Sequence, residues 1–155
     1  MAEFSASAVQ IVNPGESIVF TETPEPCLRN LVRHRDGSGN FLLSGWVPYR
    51  YGCRCKNQNA ADYLIDFGAN ISIPEGGTVG EISVAIALDG TTLPASTMRV
   101  TPAAVNQYFN VSRATNVDVW KGCCETITIR NTSTQPIQVE SANIIITRPD
   151  LAVSY

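Results

Sequence analysis

The sequence ISVAIAL at residues 82–88 decides the fold, because its branched apolar residues fall on every second position. Ser or Ala stands between them. This is the period of a half-buried β-strand, whose successive side chains point to opposite faces of a sheet. Asp89-Gly90 follows, and this dipeptide is a strong signal for a tight turn between two strands. The segment therefore predicts a β-strand that ends in a turn.

The same alternation recurs along most of the chain, with almost no helix signal. Short apolar runs are bounded by Gly, Pro, Asn and Asp, which predicts about eight to eleven strands. Residues 17–21 are one such run, and residues 108–112 and 116–120 are two others. No repeat or linker divides the 155 residues. We therefore predict one domain over residues 1–155, an all-β, single antiparallel jelly-roll β-sandwich.

Two segments are predicted to interrupt the strands. Residues 23–26 hold two prolines, which cannot donate hydrogen bonds to a strand ladder, so this segment is predicted to be a loop. Thr101-Pro102 predicts one helical turn through Asn106, because Thr suits a helix cap and Pro suits the first helical position.

Composition argues against several classes of protein. Only 16% of the residues are charged, which is unlike a disordered tail. The opening MAEFSAS has an acid where a signal peptide needs positive charge, and no apolar run approaches the roughly 18 to 20 residues of a membrane span. We expect a protein made in a cytoplasm, with no membrane partner.

Charge is distributed unevenly along the chain. Residues 29–56 hold six basic residues and one acid, whereas the rest of the chain holds five basic residues and thirteen acids. Oppositely charged regions can pair within a subunit or across a subunit boundary. Nucleic acid is a less favoured partner, because nucleic-acid binders usually have a basic domain and this chain has a net charge of −3.

The five cysteines are candidates for disulfides, although other states stay open. An odd number without a signal peptide does not describe a secreted disulfide framework. The Cys-x-Cys and Cys-Cys spacings differ from those of zinc ribbons. Free thiols, disulfides formed after release and structural zinc are the alternatives, with free or buried thiols favoured. The residues are Cys27, Cys53, Cys55, Cys123 and Cys124.

Residues 47–59 break the apolar pattern and are predicted to form an exposed excursion. Aromatic and basic side chains cluster there, a combination enriched where proteins contact one another. The same side chains can stack on sugars or bases, and we favour contact with protein. The candidate contact residues are Trp46, Tyr49, Arg50, Tyr51 and Arg54.

The sequence holds little that suggests catalysis. The single histidine, His34, has no nucleophile motif near it, and no phosphate-binding loop occurs. Asp62 and Asp66 share one face of a strand, but two carboxylates without a recognised loop spacing are weak evidence for calcium. We therefore predict no catalytic residue, no cofactor, no metal and no enzymatic activity.

Three segments carry a family resemblance: ISVAIALDGTTLPASTMRVTP, then FNVS, then ETITIRNTSTQPIQVESANIII. Their strand pattern is similar to trimeric TNF-like jelly rolls, in particular the C-terminal domains of bacterial collagen-like exosporium glycoproteins. The resemblance covers about residues 77 to 147. The chain has no Gly-x-y run, so no collagen-like stalk is implied. The segments MAEFSASAVQ, HRDGSG and VTPAAV also resemble small structural proteins of gut Firmicutes and their tailed phages.

The resemblance implies a homotrimer with a structural role. The leading expectation is a phage virion component, either a capsid decoration or a head-fibre or appendage subunit, assembled in a bacterial cytoplasm. Its partners would be itself and capsid or other virion proteins. The alternatives are a component of a bacterial spore or cell-surface layer, and a glycan-binding module that uses Trp46 and Tyr49.

Overall fold

The computed structural model describes residues 1–26, 30–48 and 59–151. In these residues the chain forms two antiparallel sheets and two short 3-10 helices, Pro94–Ser96 and Pro149–Leu151. The strands are β1 (Ala2–Ala6), β2 (Gln10–Val12), β3 (Glu22–Glu25), β4 (Val32–His34), β5 (Phe41–Ser44), β6 (Ala60–Ser72), β7 (Ile82–Leu88), β8 (Thr91–Thr92), β9 (Met98–Val100), β10 (Phe109–Trp120), β11 (Cys124–Asn131) and β12 (Ile137–Thr147).

The two sheets form a sandwich. Sheet A has the strand order β10-β6-β12-β1-β3, with β2 also paired to β12. Sheet B has the order β4-β5-β11-β7-β8, with β9 also paired to β7. The first and last strands of the chain, β1 and β12, lie side by side in sheet A. The predicted antiparallel jelly-roll sandwich is confirmed.

Strict alternation of side chains builds the core. In β6 the residues Tyr63, Ile65 and Phe67 are buried, whereas the intervening residues point outward. Successive strand residues face opposite sides of a sheet, so each strand lines the interior with every second side chain. At one end the rings of Phe4 and Phe20 lie 4.9 Å and 5.1 Å from the ring of Phe41, measured between centroids.

Strand β7 has the predicted bounds but differs from the prediction in its burial. Its outward residues, including Ala85 and Ala87, are buried as well as its inward ones. The 3-10 helix Pro94–Ser96 packs against the strand, and the Ile86 amide donates a hydrogen bond to Ser96 Oγ at 2.9 Å. The strand is therefore buried on both faces, and the chain that returns after the β7–β8 turn bonds its edge, since the Leu93 amide also donates to Ile86 O at 2.9 Å.

That turn is confirmed as a tight hairpin. Asp89 and Gly90 have φ values of 47° and 84°, so both lie in the left-handed region. A two-residue hairpin turn of this kind needs two residues that tolerate positive φ, which Asp and Gly do. The Asp89 carboxylate also accepts a hydrogen bond from the Thr126 amide at 2.7 Å, which ties the turn to β11.

Two local predictions were wrong. Residues 23–26 were predicted to be a loop, but Glu22–Glu25 form β3. This strand lies at the edge of sheet A and pairs with a neighbour on one side only. A proline is tolerated there because the unpaired side of an edge strand needs no backbone N–H donor. Residues 101–106 form no helix; Asn106 has a φ of 57° and its amide donates to Ile73 O at 2.8 Å, which ends the segment as a turn.

Some strand bounds differ from those predicted, because pairing with a distant strand sets them and the local apolar pattern does not. The predicted strands at 108–112 and 116–120 are parts of one strand, β10, which begins at Phe109 and pairs with β6 along its whole length. Residues 17–21 make only isolated bridges, at Ser17 and Phe20. Strand β1 was not predicted.

In the part of the chain that the structure describes, no helix combines the length and hydrophobicity needed to cross a bilayer.

The burial of β7 on both faces gives a direct test of the fold. Ala85→Asp would place a carboxylate where there is no water, so we expect a loss of at least about 3 kcal/mol of unfolding free energy, measured by chemical denaturation. Ala104→Asp introduces the same carboxylate at an exposed loop position and should change stability little. Equal effects of the two substitutions would show that β7 is open on its outer face.

Candidate contact surfaces

The structure describes one of the five predicted contact residues. Trp46 follows β5, and 47% of its surface is exposed. Tyr49, Arg50, Tyr51 and Arg54 lie outside the described residues, so their role stays a prediction. The exposed indole places a large apolar group at one end of the sandwich, as a contact residue requires.

A close backbone approach fixes the residue before Trp46. The Gly45 amide donates to Cys123 O at 2.9 Å. A Cβ at position 45 would overlap Trp120 O and lie 2.6 Å from Cys123 O, so only glycine fits here. This contact brings the end of β5 against the turn between β10 and β11. Trp120, which ends β10, is 63% exposed at the same end of the molecule.

A shallow cleft of about 340 Å³ separates Trp46 from that turn. Its lining mixes an aromatic ring, backbone, one cation and one thiol. The lining residues are Ser44, Gly45, Trp46, Val47, Lys121, Gly122 and Cys123.

A buried ion pair lies beneath this end of the sandwich. Arg148 is 8% exposed and bonds Asp150 through two nitrogens, at 2.7 Å and 2.8 Å. Another of its nitrogens donates to Trp46 O at 3.1 Å, and its guanidinium carbon lies 4.8 Å from the centre of the Tyr63 ring. The C-terminal segment after β12 is thereby fastened to the chain that carries Trp46.

Tyr63 extends this network across the sandwich. Its hydroxyl lies 2.6 Å from Ser44 O and 3.0 Å from Leu31 O, and it donates its one hydrogen to either. Tyr63 belongs to sheet A, whereas Ser44 belongs to sheet B and Leu31 immediately precedes β4. The hydroxyl therefore links the two layers. Sequence analysis missed the whole network, since no local pattern marks Arg148 or Asp150 as buried.

The ion pair predicts a large penalty for removing one partner. Arg148→Met leaves the Asp150 carboxylate buried without its cation, and we expect a loss of about 3–5 kcal/mol of unfolding free energy. The double variant Arg148→Met/Asp150→Leu should recover much of this loss. Arg35→Met, at an exposed arginine, is the control and should change stability little. Denaturant titration followed by tryptophan fluorescence measures the unfolding free energy of all three variants. If Arg148→Met is as stable as Arg35→Met, the buried ion pair does not have the assigned role.

Two of the five candidate disulfide cysteines are described. Cys123 lies in the β10–β11 turn and Cys124 begins β11; both are exposed and carry free thiols. Cys27, Cys53 and Cys55 lie outside the described residues, so disulfide pairing stays a prediction.

His34 has a structural setting. Its ring stacks on Phe41, with centroids 4.4 Å apart, and packs near Phe4. Its two nitrogens lie 3.0 Å from Asn40 O and 3.2 Å from Phe20 O. Both neighbours are carbonyl acceptors, so a neutral ring donates its one N–H to one of them. With the ring stacking, these contacts are those of a side chain that holds the sandwich together.

A second surface emerges from sheet A. Its outward positions carry seven carboxylates and no lysine or arginine among the described residues; the single arginine of these strands, Arg113, lies at an inward position of edge strand β10. We call this surface the acidic face, and its carboxylates belong to Glu3, Glu22, Glu25, Asp62, Asp66, Asp118 and Glu140.

Like charges meet directly on the acidic face. Asp62 on β6 pairs in register with Asp118 on β10. Burial raises the pKa of Asp62, and the nearby charges of Asp118 and Asp150 raise it further, against the opposing effect of Arg148. Sequence analysis placed Asp62 and Asp66 on one face, which is confirmed by the alternation in β6. Among the residues described, no group of three or more His, Cys, Asp or Glu side chains is arranged to hold a metal ion.

A glycine lies at the centre of the acidic face. Gly68 on β6 pairs in register with Ser112 on one side and Asn143 on the other. Its φ is not in the left-handed region, and an added Cβ would meet only Val111 O, at 3.9 Å. The fold of a single chain therefore does not require glycine at this position.

One flank of the sandwich is basic. There β10, the edge of sheet A, lies beside β9 of sheet B. Arg99 on β9 and Arg113 on β10 are exposed, and Arg113 donates to Thr97 O at 3.4 Å. The exposed ring of Phe109 begins β10 on the same flank. We call this surface the basic edge.

Glu125 gives a prediction about pH. Its Oε2 is buried without a hydrogen-bond partner in the described residues, and burial, followed by the charges of Asp89 and Asp118, raises its pKa. The folded protein thus holds a proton more tightly than the unfolded chain, so this group lowers stability as pH rises through its folded pKa.

Glu125→Gln should therefore stabilise the protein at pH 7, by about 1 kcal/mol or less because the residue is partly solvated. The gain should vanish at a pH well below 4, where the wild-type carboxyl is protonated in both states. Thermal unfolding at both pH values measures it. Glu75→Gln, at an exposed loop position, should show no pH-dependent gain; a gain independent of pH at position 125 would contradict the role of the carboxylate.

Comparison with known proteins identifies the fold. No protein-family model matches the chain, and no curated protein matches it. The structure is similar to that of Eiger TNF from S. frugiperda, with a TM-score of 0.64 and 11% sequence identity, covering 99% of this chain and 93% of that one. It is also similar to the globular domain of zebrafish complement 1qA protein, with a TM-score of 0.50 and 9% identity, covering 93% of this chain and 94% of that one. The fold is a TNF-like jelly roll, as the strand pattern predicted.

Proposed function

We propose that the protein is a non-enzymatic structural subunit that assembles as a homotrimer. The observation that carries this proposal is the acidic face, a broad surface over sheet A with a glycine at its centre, Gly68, that the fold of a single chain does not require. The resemblance of residues 77 to 147 to trimeric TNF-like domains supports the number of subunits.

The contacts of the titratable side chains support a role without catalysis. His34 is engaged in ring stacking and backbone hydrogen bonds, and Arg148 and Asp150 neutralise each other in a buried pair. Two exposed aromatic side chains, Trp46 and Trp120, lie together at one end. Such an arrangement suits a protein that works through its surface contacts.

The finer proposal is a phage virion component, either a capsid decoration or a head-fibre or appendage subunit. The resemblance of the whole chain to structural proteins of gut Firmicutes and their tailed phages supports it. In this proposal the end that carries Trp46 contacts a capsid or other virion protein. A component of a bacterial spore or cell-surface layer is the alternative of the same class.

One observation favours a second candidate, a glycan-binding module. The cleft beside Trp46 is shallow and open, and a second exposed tryptophan, Trp120, lies at the same end. Aromatic faces of this kind stack on sugar rings. Loss of binding on a glycan array after Trp46→Ala would support this candidate, and an array on which the wild-type protein binds nothing would remove it.

The homotrimer predicts a definite mass in solution. Three copies of the 16.8 kDa chain give about 50 kDa, measured by light scattering coupled to size-exclusion chromatography. A mass of one chain at all concentrations up to the tens of micromolar would contradict the proposal.

The virion role predicts co-purification with assembled particles. Purified phage particles from the producing cell should contain the protein in stoichiometric amounts by mass spectrometry. Trp46→Ala should reduce the retention of the protein on the particle at least tenfold, because loss of a central aromatic contact costs about 2 kcal/mol or more of binding free energy. The mass of the protein in solution should stay unchanged. Trp120→Ala tests the neighbouring ring. If the protein is absent from the particles and present in spores or cell envelopes, the alternative location is favoured.

A further inference from the structure

We infer that the outer face of sheet B binds an acidic polysaccharide, a chain of sugars that carry anionic groups, in a groove that is lined by arginines and ends at Trp46. This inference rests on the glycan-binding candidate, and it names the class of glycan and the surface that receives it. It does not depend on the number of subunits.

The groove is built from outward side chains of three neighbouring strands. In β5, Leu42 and Ser44 point outward, because the residues that alternate with them are buried in the core. Leu42 pairs in register with Arg33 of β4 on one side and with Thr126 of β11 on the other. Ser44 pairs with Cys124 of β11. These five side chains therefore share one outer surface.

Three adjoining clefts on this surface make one groove, which we call the sheet B groove. Their volumes are about 350, 180 and 560 Å³, and Arg33 lines all three. The first reaches Trp46, and the last reaches Arg35 and Asn40. The groove thus follows β5 from Trp46 back to Asn40, roughly 20 Å at the rise of an extended chain. A ligand that fills it is long and extended.

The charge of the groove is positive. Arg33 and Arg35 line it, and Lys121 lines the cleft beside Trp46 that adjoins it. All three cations are exposed, and within the described ranges none of them forms an ion pair. No aspartate or glutamate is among the described residues that line these clefts. Unpaired cations in a cleft attract an anionic ligand, and an arginine binds a carboxylate through two nitrogens at once.

The position of the groove on the face of the sheet favours a sugar chain over an acidic peptide. An extended peptide gains affinity by pairing its backbone with an open strand edge. Strand β5 is already paired with β4 and β11, so side chains must supply the hydrogen bonds in this groove. Amides and hydroxyls both donate and accept, as sugar hydroxyls do. Asn30, Asn40 and Thr126 provide such groups, and their side chains make no hydrogen bond with the described residues.

Trp46 supplies the contact with a sugar ring. Its side chain is exposed where the sheet B groove meets the adjoining cleft, and it lines both. Its backbone is held in place, since the Arg148 guanidinium donates to Trp46 O at 3.1 Å. An exposed aromatic face stacks on a sugar ring, and the arginines further along the groove bind the anionic groups of the following sugars.

The first test compares charged and uncharged sugar chains on the full-length protein. Oligogalacturonate carries a carboxylate on each sugar, and its methyl ester has the same backbone without the charge. Dextran sulfate and dextran form a second pair, with sulfates as the anionic groups. By isothermal titration calorimetry, the charged member of each pair should bind at least about tenfold more tightly. Raising the salt from about 0.05 to 0.5 M should weaken this binding, because salt screens exposed charges.

Arg33→Gln tests the centre of the groove. It removes one exposed charge, so it should weaken the binding of oligogalacturonate at least about tenfold and leave thermal unfolding unchanged. Arg99→Gln is the matched control, because each arginine is the exposed middle residue of a three-residue strand of sheet B. Arg99 lies on β9, which β7 and β11 separate from β5. Its binding should match that of the wild-type protein.

Cys124 reports where the ligand lies. Its thiol is free and exposed, and it lines the groove beside Arg33. Saturating oligogalacturonate should slow the alkylation of Cys124 by iodoacetamide severalfold, as measured by mass spectrometry with fragmentation that separates it from Cys123. An unchanged rate of alkylation would place the ligand outside the groove and overturn the inference.

The remaining outcomes separate the possible failures. Equal binding of the charged and uncharged chains overturns the inference and leaves the glycan-binding candidate standing. Equal losses in Arg33→Gln and Arg99→Gln show a general effect of charge and overturn the assigned groove. A poly-glutamate peptide that binds as tightly as oligogalacturonate overturns the choice of a sugar chain. A wild-type protein that binds none of the four sugar chains overturns the inference, and the glycan array decides whether the glycan-binding candidate falls with it.

Discussion

The structure depends on one constraint: two sheets must share an apolar interior, so each strand can give only every second side chain to it. In β6 this sorts Tyr63, Ile65 and Phe67 inward and Asp62 and Asp66 outward. The same sorting in the neighbouring strands collects carboxylates on a single outer surface. The sandwich thus places the polar side chains of these strands on the outside, and the residues at those positions make the outer face of sheet A acidic.

Closure of the sandwich depends on a polar network at one end. Tyr63 bridges the sheets through its hydroxyl, and Arg148 holds the segment after β12 against Trp46 O. These bonds are made in a buried setting, where each group needs its partner. The backbone at Trp46 is therefore held in place, which suits a contact surface because a fixed segment loses little freedom on binding.

The sequence pattern correctly predicted those strands and turns whose conformation depends on their own residues. The alternation and turn residues of 82–90 gave β7 and its hairpin correctly, since their conformation follows from their own side chains. Pairing between distant segments was not predictable in this way. Strand β1 is built by its register with β12, Pro24 is tolerated because β3 has no outer neighbour, and the edge of β7 at Ile86 is bonded by Ser96, ten residues further on.

The same distinction holds for the contact surfaces. The exposure of Trp46 and the common face of Asp62 and Asp66 could be predicted from residue type and period. The significance of Gly68 could not, because it depends on which strands flank β6 and on the space above them.

A high-resolution structure of the protein in its assembled state tests the account most directly, because it shows what covers each outer surface. The account predicts that the outer face of sheet A, with Gly68 and Asp66, is buried against a neighbouring copy around a threefold axis. A structure in which the outer face of sheet A is open to solvent in every copy would contradict it.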